Sequence, residues 1–414
     1  MQRINVLWKL YFLDFIYSGI IRGFLPTLLG NIFYFARAII VMAIFIFLFK
    51  NAKSFMKNGS TFLFICFLLT GYQSILLLFG EIDFKTFFYG LYLYVIPLVG
   101  LISTGALDTG QIIKAFRKIL LISIPINLLV VLLQTVFKFT ILYSAGFGAG
   151  LYSTEGVQRA TGTFSSPAGF AIYMSVCLAL MLSLEALNRK SIPQAHWIAL
   201  LVMLGLSGSR TIVFNFAFVL LFLVIFGTRA KEVSSKLGRL FLLAVSSVGI
   251  VVLLPGTRNV LNAGINRFTE ANRVDPPLTR IINQLWVKDW DWNPVGSGLG
   301  SRSLGSVVNV DIRVTISKWI EFDNARILAE AGSILFIAML LVKILIILRG
   351  IQNRKIVGKR YRGIHLTLLL SCLPWIIFGQ IFGQASIASG TFLIAYLLLG
   401  VSALREPEER KLES

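Results

Sequence analysis

Arg210 stands in Gly205-Leu206-Ser207-Gly208-Ser209-Arg210-Thr211, between two apolar runs joined by almost no linker. A guanidinium there costs roughly 3 kcal/mol or more in lipid unless an anion or carboxylate meets it. Its planar fork suits a diphosphate, bonding two oxygens at once, and the small residues before it let backbone approach a ligand. A second candidate opens Arg159-Ala160-Thr161-Gly162-Thr163-Phe164-Ser165-Ser166-Pro167-Ala168-Gly169. Pro167 suits a first helical turn with Ser165 or Ser166 as cap, leaving backbone N–H groups for an anion or simply making a well-capped turn. The long polar interruption over 256–324 holds Arg267, Arg273 and Arg280, with Arg280 in an apolar helical pattern that would fix it rigidly. Near its end stand Glu321 and Asp323, with Glu330 about two turns further on. Either of the first two carboxylates could serve as a general base, or only pair with an arginine.

Other signals are weaker. Asp289-Trp290-Asp291 has the spacing of a metal-binding carboxylate pair, but two acids two apart arise often by chance. The glycine run Gly296-Ser297-Gly298-Leu299-Gly300 is a poor nucleotide motif, with no strand before it and no clear helix after, and reads better as a tight turn. Trp286, Trp290 and Trp292 fit an interfacial aromatic belt better than a sugar-stacking platform. The two histidines, His196 and His365, fall at ends of spans away from this loop, which argues against an imidazole base or a zinc site beside it. Cys66, Cys177 and Cys372 all sit inside apolar runs, so neither a disulfide framework nor a CxxC site is expected.

The elements that must position these residues are membrane helices. Of 414 residues 56% are hydrophobic, and the mean hydropathy is +0.80. The apolar runs approach 20 residues and do not alternate, which selects helices over barrel strands. The expected fold is all-α and polytopic, with about twelve spans, near 4–24, 31–49, 60–79, 86–104, 119–137, 167–187, 194–207, 211–227, 240–255, 326–348, 364–383 and 388–404. Lys9, Asp14 and Arg22 make the first stretch amphipathic enough to lie in the interface instead. The net charge of +20 is a topology signal, since basic clusters fall on alternate loops, and no groove-reading module argues for nucleic acid. That alternation puts both termini in the cytoplasm, and the Arg159 segment, the Arg210 break and the long loop on the outer face. The chain then divides into helices over 1–255, an outer loop over 256–325, helices over 326–404 and a cytoplasmic tail over 405–414.

Four places together resemble the family of O-antigen ligases and Wzy-type polysaccharide polymerases. They are Arg159-Ala160-Thr161-Gly162-Thr163-Phe164 with Pro167, the Ser207-Gly208-Ser209-Arg210 break, the 296–300 glycine run, and Asp323-Asn324 followed by Leu328-Ala329-Glu330-Ala331-Gly332. The resemblance implies a membrane-embedded, GT-C-like inverting glycosyltransferase of the bacterial cytoplasmic membrane, with its active site facing outside and no metal, nucleotide or other cofactor. Donor and acceptor would be undecaprenyl-diphosphate-linked glycans, with membrane lipid and chain-length regulators or other polysaccharide-assembly proteins as partners. Arg210 and Arg280 would grip the diphosphate, with Arg159 and Arg267 as further diphosphate contacts and Asp323 or Glu321 as catalytic carboxylate. Ligases of this family carry a histidine where this chain has Asp323, so the resemblance favours a polymerase over a ligase.

Overall fold

The computed structural model describes residues 2–49, 52–137, 139, 153–154, 157–187, 192–226, 293–303, 320, 323–378 and 385–401, with isolated positions between 249 and 282. Its elements are α1 (Gln2–Phe24), α2 (Thr27–Tyr34), α3 (Ala36–Phe49), α4 (Ala52–Leu78), α5 (Phe84–Gly90), α6 (Ile96–Ile102) and α7 (Thr109–Thr135). There follow α8 (Pro167–Leu187), α9 (Gln194–Ser207), α10 (Arg210–Phe226), α11 (Asp323–Ile356), α12 (Arg362–Phe378) and α13 (Ala385–Gly400). A π-helical turn, Leu91–Val95, joins α5 to α6 in one continuous rod. The sole sheet among the described residues is a two-residue antiparallel pairing of β1 (Ser153–Thr154) with β2 (Val157–Gln158).

Among the described residues six helices are long and apolar enough to cross a membrane, and five more are apolar but shorter. The chain is an all-α, multi-pass membrane protein. Expected and observed bounds agree closely for α8, α9 and α10. They differ at α7, which starts near 109 rather than 119, so Lys114, Arg117 and Lys118 ride on the helix instead of preceding it. The expected span over 240–255 lies outside the described residues.

The first stretch does not lie in an interface. Trp8, Phe12, Phe15 and Ile16 are fully buried, and α1 packs on α3, α7 and α13. Its polar Asp14 is matched from α3: Arg37 Nε donates to Asp14 Oδ2 at 2.5 Å, and the same guanidinium reaches Ser389 Oγ of α13 at 3.1 Å and the Ser18 hydroxyl. That pairing lets an amphipathic sequence be a core helix.

At the centre stands α8, apolar on every side and therefore surrounded; α7, α10, α12 and α13 all pack against it. Pro125 inside α7 cannot bond the carbonyl of Leu121, and His196 of α9 meets that carbonyl at 3.0 Å. This gives one of the two histidines a packing role.

Candidate functional site

The site is organised by a break in α11. Gly332 has φ 74° and ψ 171°, a backbone region essentially reserved for glycine, and a Cβ there would collide with the Pro294 carbonyl. A straight α-helix would set Asp323 and Lys343 about 30 Å apart, yet Lys343 Nζ donates to Asp323 Oδ2 at 2.8 Å. The chain therefore folds back at Gly332. The arm over 323–331 lies against the arm over 333–356, and the expectation of one uninterrupted span over 326–348 is corrected. A periodic pattern cannot reveal the fold-back, because Ile327, Leu328 and Ala331 continue into the apolar run after Gly332 without a break.

The glycine turn closes over this hairpin. Ser297 N donates to Ala329 O at 2.8 Å, Gly298 N to Glu330 O at 2.9 Å, and Ser333 N to Asn293 O at 2.9 Å. Gly298 and Gly300 take φ of 95° and 83°, and Gly296 sits so close to the 330–332 backbone that no side chain fits. Gln73 of α4 locks the middle of the turn, accepting from Leu299 N at 2.9 Å and donating to Leu299 O at 3.0 Å. Successive free amides of such a turn make a concavity for an anion. Here the anion is the protein's own: Glu330 Oε2 accepts from Gly300 N at 2.8 Å and from the Tyr94 hydroxyl. Its Oε1 accepts from Arg302 N at 2.8 Å and Ser303 Oγ at 3.0 Å. The Gly300 and Arg302 amides are thus committed to a carboxylate, and those of Ser297, Gly298 and Leu299 to carbonyl oxygens, so none of these is open to a phosphate.

One turn before Glu330, the Arg326 guanidinium is fully buried and pairs with Asp323. Lys343 bridges to both Asp323 and Asn324, the latter at 2.7 Å. Both Asp323 oxygens are engaged by cations, while Arg326 Nε and Nη1 find no hydrogen-bond partner among the described residues. Ionic groups buried this deeply cost several kcal/mol each before their mutual attraction is counted, roughly, and each depends on the others remaining. Two carboxylates, two cations and Tyr94 form one buried polar line through the hairpin.

The Arg159 segment is built differently. Gln134 Oε1 accepts from Thr161 N and Gly162 N, both at 3.0 Å, and its Nε2 donates to Thr161 Oγ1 and Gly162 O, both at 3.1 Å. Asn127 Oδ1 accepts from Thr163 N at 3.0 Å, and Ile20 N donates to Thr163 O at 2.8 Å. Ser166 is the cap of α8, its Oγ accepting from Gly169 N at 3.1 Å. Arg159 itself is half-buried, with Nε unpartnered among the described residues. Arg210 is the first residue of α10, after a left-handed Gly208 at φ 58°. Because α8, α9 and α10 run alternately, Arg210 opens its helix at the end of the bundle where Pro167 opens α8. Arg267, Arg280 and Glu321, with the tryptophans and acids over 286–292, lie outside the described residues.

Of the sequence candidates, the structure brings Asp323 and the glycine run into one assembly. Sequence reasoning undervalued Glu330 and passed over Tyr94, Gln73, Arg326 and Lys343; a lysine within an apolar span is the signal that could have found the cluster. Among the described residues no group of His, Cys, Asp and Glu has the arrangement of a metal site. No protein-family model matches the chain, and no curated protein matches it.

Proposed function

We propose that the chain is a polysaccharide polymerase that joins undecaprenyl-diphosphate-linked oligosaccharide units on the outer face of the bacterial cytoplasmic membrane. The observation that carries this reading is the meeting of the 296–300 turn with the 323–332 arm, two of the four segments on which the resemblance rests. The helix starts at Pro167 and Arg210, which carry the other two, share one end of the bundle. In the proposed step an acceptor hydroxyl attacks the anomeric carbon and the bond to the diphosphate oxygen breaks with inversion. The hydroxyl proton passes to a carboxylate, and undecaprenyl diphosphate leaves with the bonding pair. Arg210 and Arg280, with Arg159 and Arg267, stabilise the diphosphate charge as it develops. Proton acceptance at Asp323 would have to displace Arg326 or Lys343, so in this proposal Glu321 is the base and Asp323 positions the two cations.

A transporter of lipid-linked sugar is the second reading, favoured by the discontinuous α11, whose first residue Asp323 pairs with Lys343 midway along the second arm. A ligase that moves the glycan to a separate lipid or protein acceptor differs from the polymerase only in its acceptor. Purified protein given lipid-diphosphate-linked oligosaccharide as sole substrate tests all three. A ladder of longer lipid-linked glycans, reduced about 100-fold or more in Arg210→Ala, is the expected result. Transfer only on adding a separate acceptor would make it a ligase. Movement of intact substrate across a vesicle membrane, with no lipid diphosphate released, would make it a transporter.

A further inference from the structure

The last turn of α1 holds a cation that none of the four segments contains. Arg22 is half-buried, its guanidinium carbon 4.5 Å from the centroid of the Tyr34 ring. Its Nε has no hydrogen-bond partner among the described residues. Tyr34 in turn stacks on Tyr89, with centroids 6.2 Å apart and planes at 12°, and their hydroxyls meet at 3.1 Å. Tyr92 OH donates to the Tyr34 backbone carbonyl at 3.1 Å, anchoring the chain that carries the ring. Tyr89 closes against Gly300, where a Cβ would come within 3.1 Å of its ring, and Gly300 N is bonded to Glu330. An aromatic shelf thus runs from the glycine turn to a guanidinium with an unused donor. Around it Phe24, Leu29, Ile32 and Phe88 are more than half or about half exposed, a surface suited to acyl or prenyl chain rather than to water.

The geometry points to Arg22 as a binding residue for the phosphate groups of a membrane-resident lipid, which reaches the glycine-turn site sideways from the bilayer across the Tyr34–Tyr89 shelf. The chemistry is that of an amphiphile with an anionic head. A guanidinium backed by an aromatic face is oriented without being neutralised, and the Nε–H that lacks a partner among the described residues is the donor left for a phosphate oxygen. The exposed apolar side chains beside it would follow the tail. We take the occupant to be the polyprenyl diphosphate; that identity rests on the proposed function, whereas the site itself does not.

The test is a binding titration, independent of turnover, so a missing glycan ladder and a missing lipid site are separate failures. Full-length protein in phosphatidylcholine nanodiscs is titrated with undecaprenyl diphosphate, and in a parallel arm with phosphatidylglycerol, with occupancy read by native mass spectrometry. Wild-type protein should retain the polyprenyl diphosphate at least about tenfold more tightly than R22Q, with R22K between them because charge remains but the fork is lost. Should R22Q fail to assemble, a weakening in R22K alone supports the site and wild-type affinity in R22K overturns it. Unchanged binding in R22Q would overturn the inference. Phosphatidylglycerol competing on equal terms would leave an anionic-lipid site at Arg22 and overturn the polyprenyl diphosphate as its occupant.

Discussion

Two of the polar segments among the described residues are held in this apolar bundle by opposite means. The Arg159 segment is stitched to α1 and α7 by neutral amides, with Gln134 alone making four hydrogen bonds to it. The glycine turn and the 323–332 arm are held by a buried carboxylate, an ion pair and a bridging lysine. Backbone polar groups in a membrane protein must be satisfied internally, and neutral side chains do this without the cost of desolvating a charge. A chain that needed only to close a loop would use the first solution twice. The second region instead holds four ionisable side chains, with two nitrogens of Arg326 lacking a hydrogen-bond partner among the described residues, and so buries charge at a cost that the first solution avoids.

Breaking the ionic region should cost most. Glu330→Ala leaves Gly300 N, Arg302 N, Ser303 Oγ and the Tyr94 hydroxyl without their shared acceptor. Leaving buried partners unpaired costs about 3–5 kcal/mol, so little monodisperse protein should be recovered on size exclusion in detergent. Glu330→Gln should recover only part, because its NH2 faces donors. Asp323→Asn should cost about 3 kcal/mol in thermal melts by stranding Arg326 and Lys343. Adding Lys343→Met to it should cost less than the two single changes combined, with a coupling of about 1–3 kcal/mol. Additive losses would mean that the two side chains do not share an ion pair.

The neutral seam should give a smaller and different response. Gln134→Ala removes acceptor and donors for Thr161 and Gly162 together, at about 2 kcal/mol, measured as a lowered melting temperature. Glycan transfer per folded molecule should fall far less than in Arg210→Ala, because Gln134 reaches the segment through Thr161 and Gly162 and not through Arg159. A Gln134→Ala variant that melted normally but lost transfer would show that Gln134 positions Arg159 on the diphosphate, and would undo the comparison.

How much of this was legible follows from the same physics. The helices at α8 to α10 could be read because continuous apolar runs bounded by Ser166-Pro167 and by Gly208 leave few alternatives. The cap at Ser166 and the tightness of the glycine run were legible too, being local properties of the chain. The fold-back at Gly332 was not, since a glycine in an apolar helix is ordinarily tolerated and only the 294–300 backbone lying against it demands the unusual φ. Nor could pattern say that Glu330 fills the turn or that Arg37 meets Asp14, because such pairings join residues far apart in sequence. Charges within spans were visible; their partners required the fold.

The smallest effects supply the scale for the larger ones, since each rests on a single cap hydrogen bond. Asp83 Oδ1 accepts from Thr86 N at 2.7 Å at the exposed start of α5, and Ser166 Oγ accepts from Gly169 N in the buried start of α8. Replacing either by alanine should cost about 1 kcal/mol, with Asp83 at the lower end because solvent screens it. Only one of the two should respond to pH. The Thr86 amide holds the Asp83 carboxyl below the usual carboxylate range. Its contribution is therefore complete above the unfolded value of about 3.9 and is lost as pH falls through the lower folded value. Melting curves of wild type and Asp83→Asn, followed from neutral pH down through the unfolded value of about 3.9 and past it, should converge on the acid side. The offset of Ser166→Ala should stay constant. A converging Ser166→Ala curve would mean that the seam contains a titrating group, and the division into a neutral and an ionic region would fall.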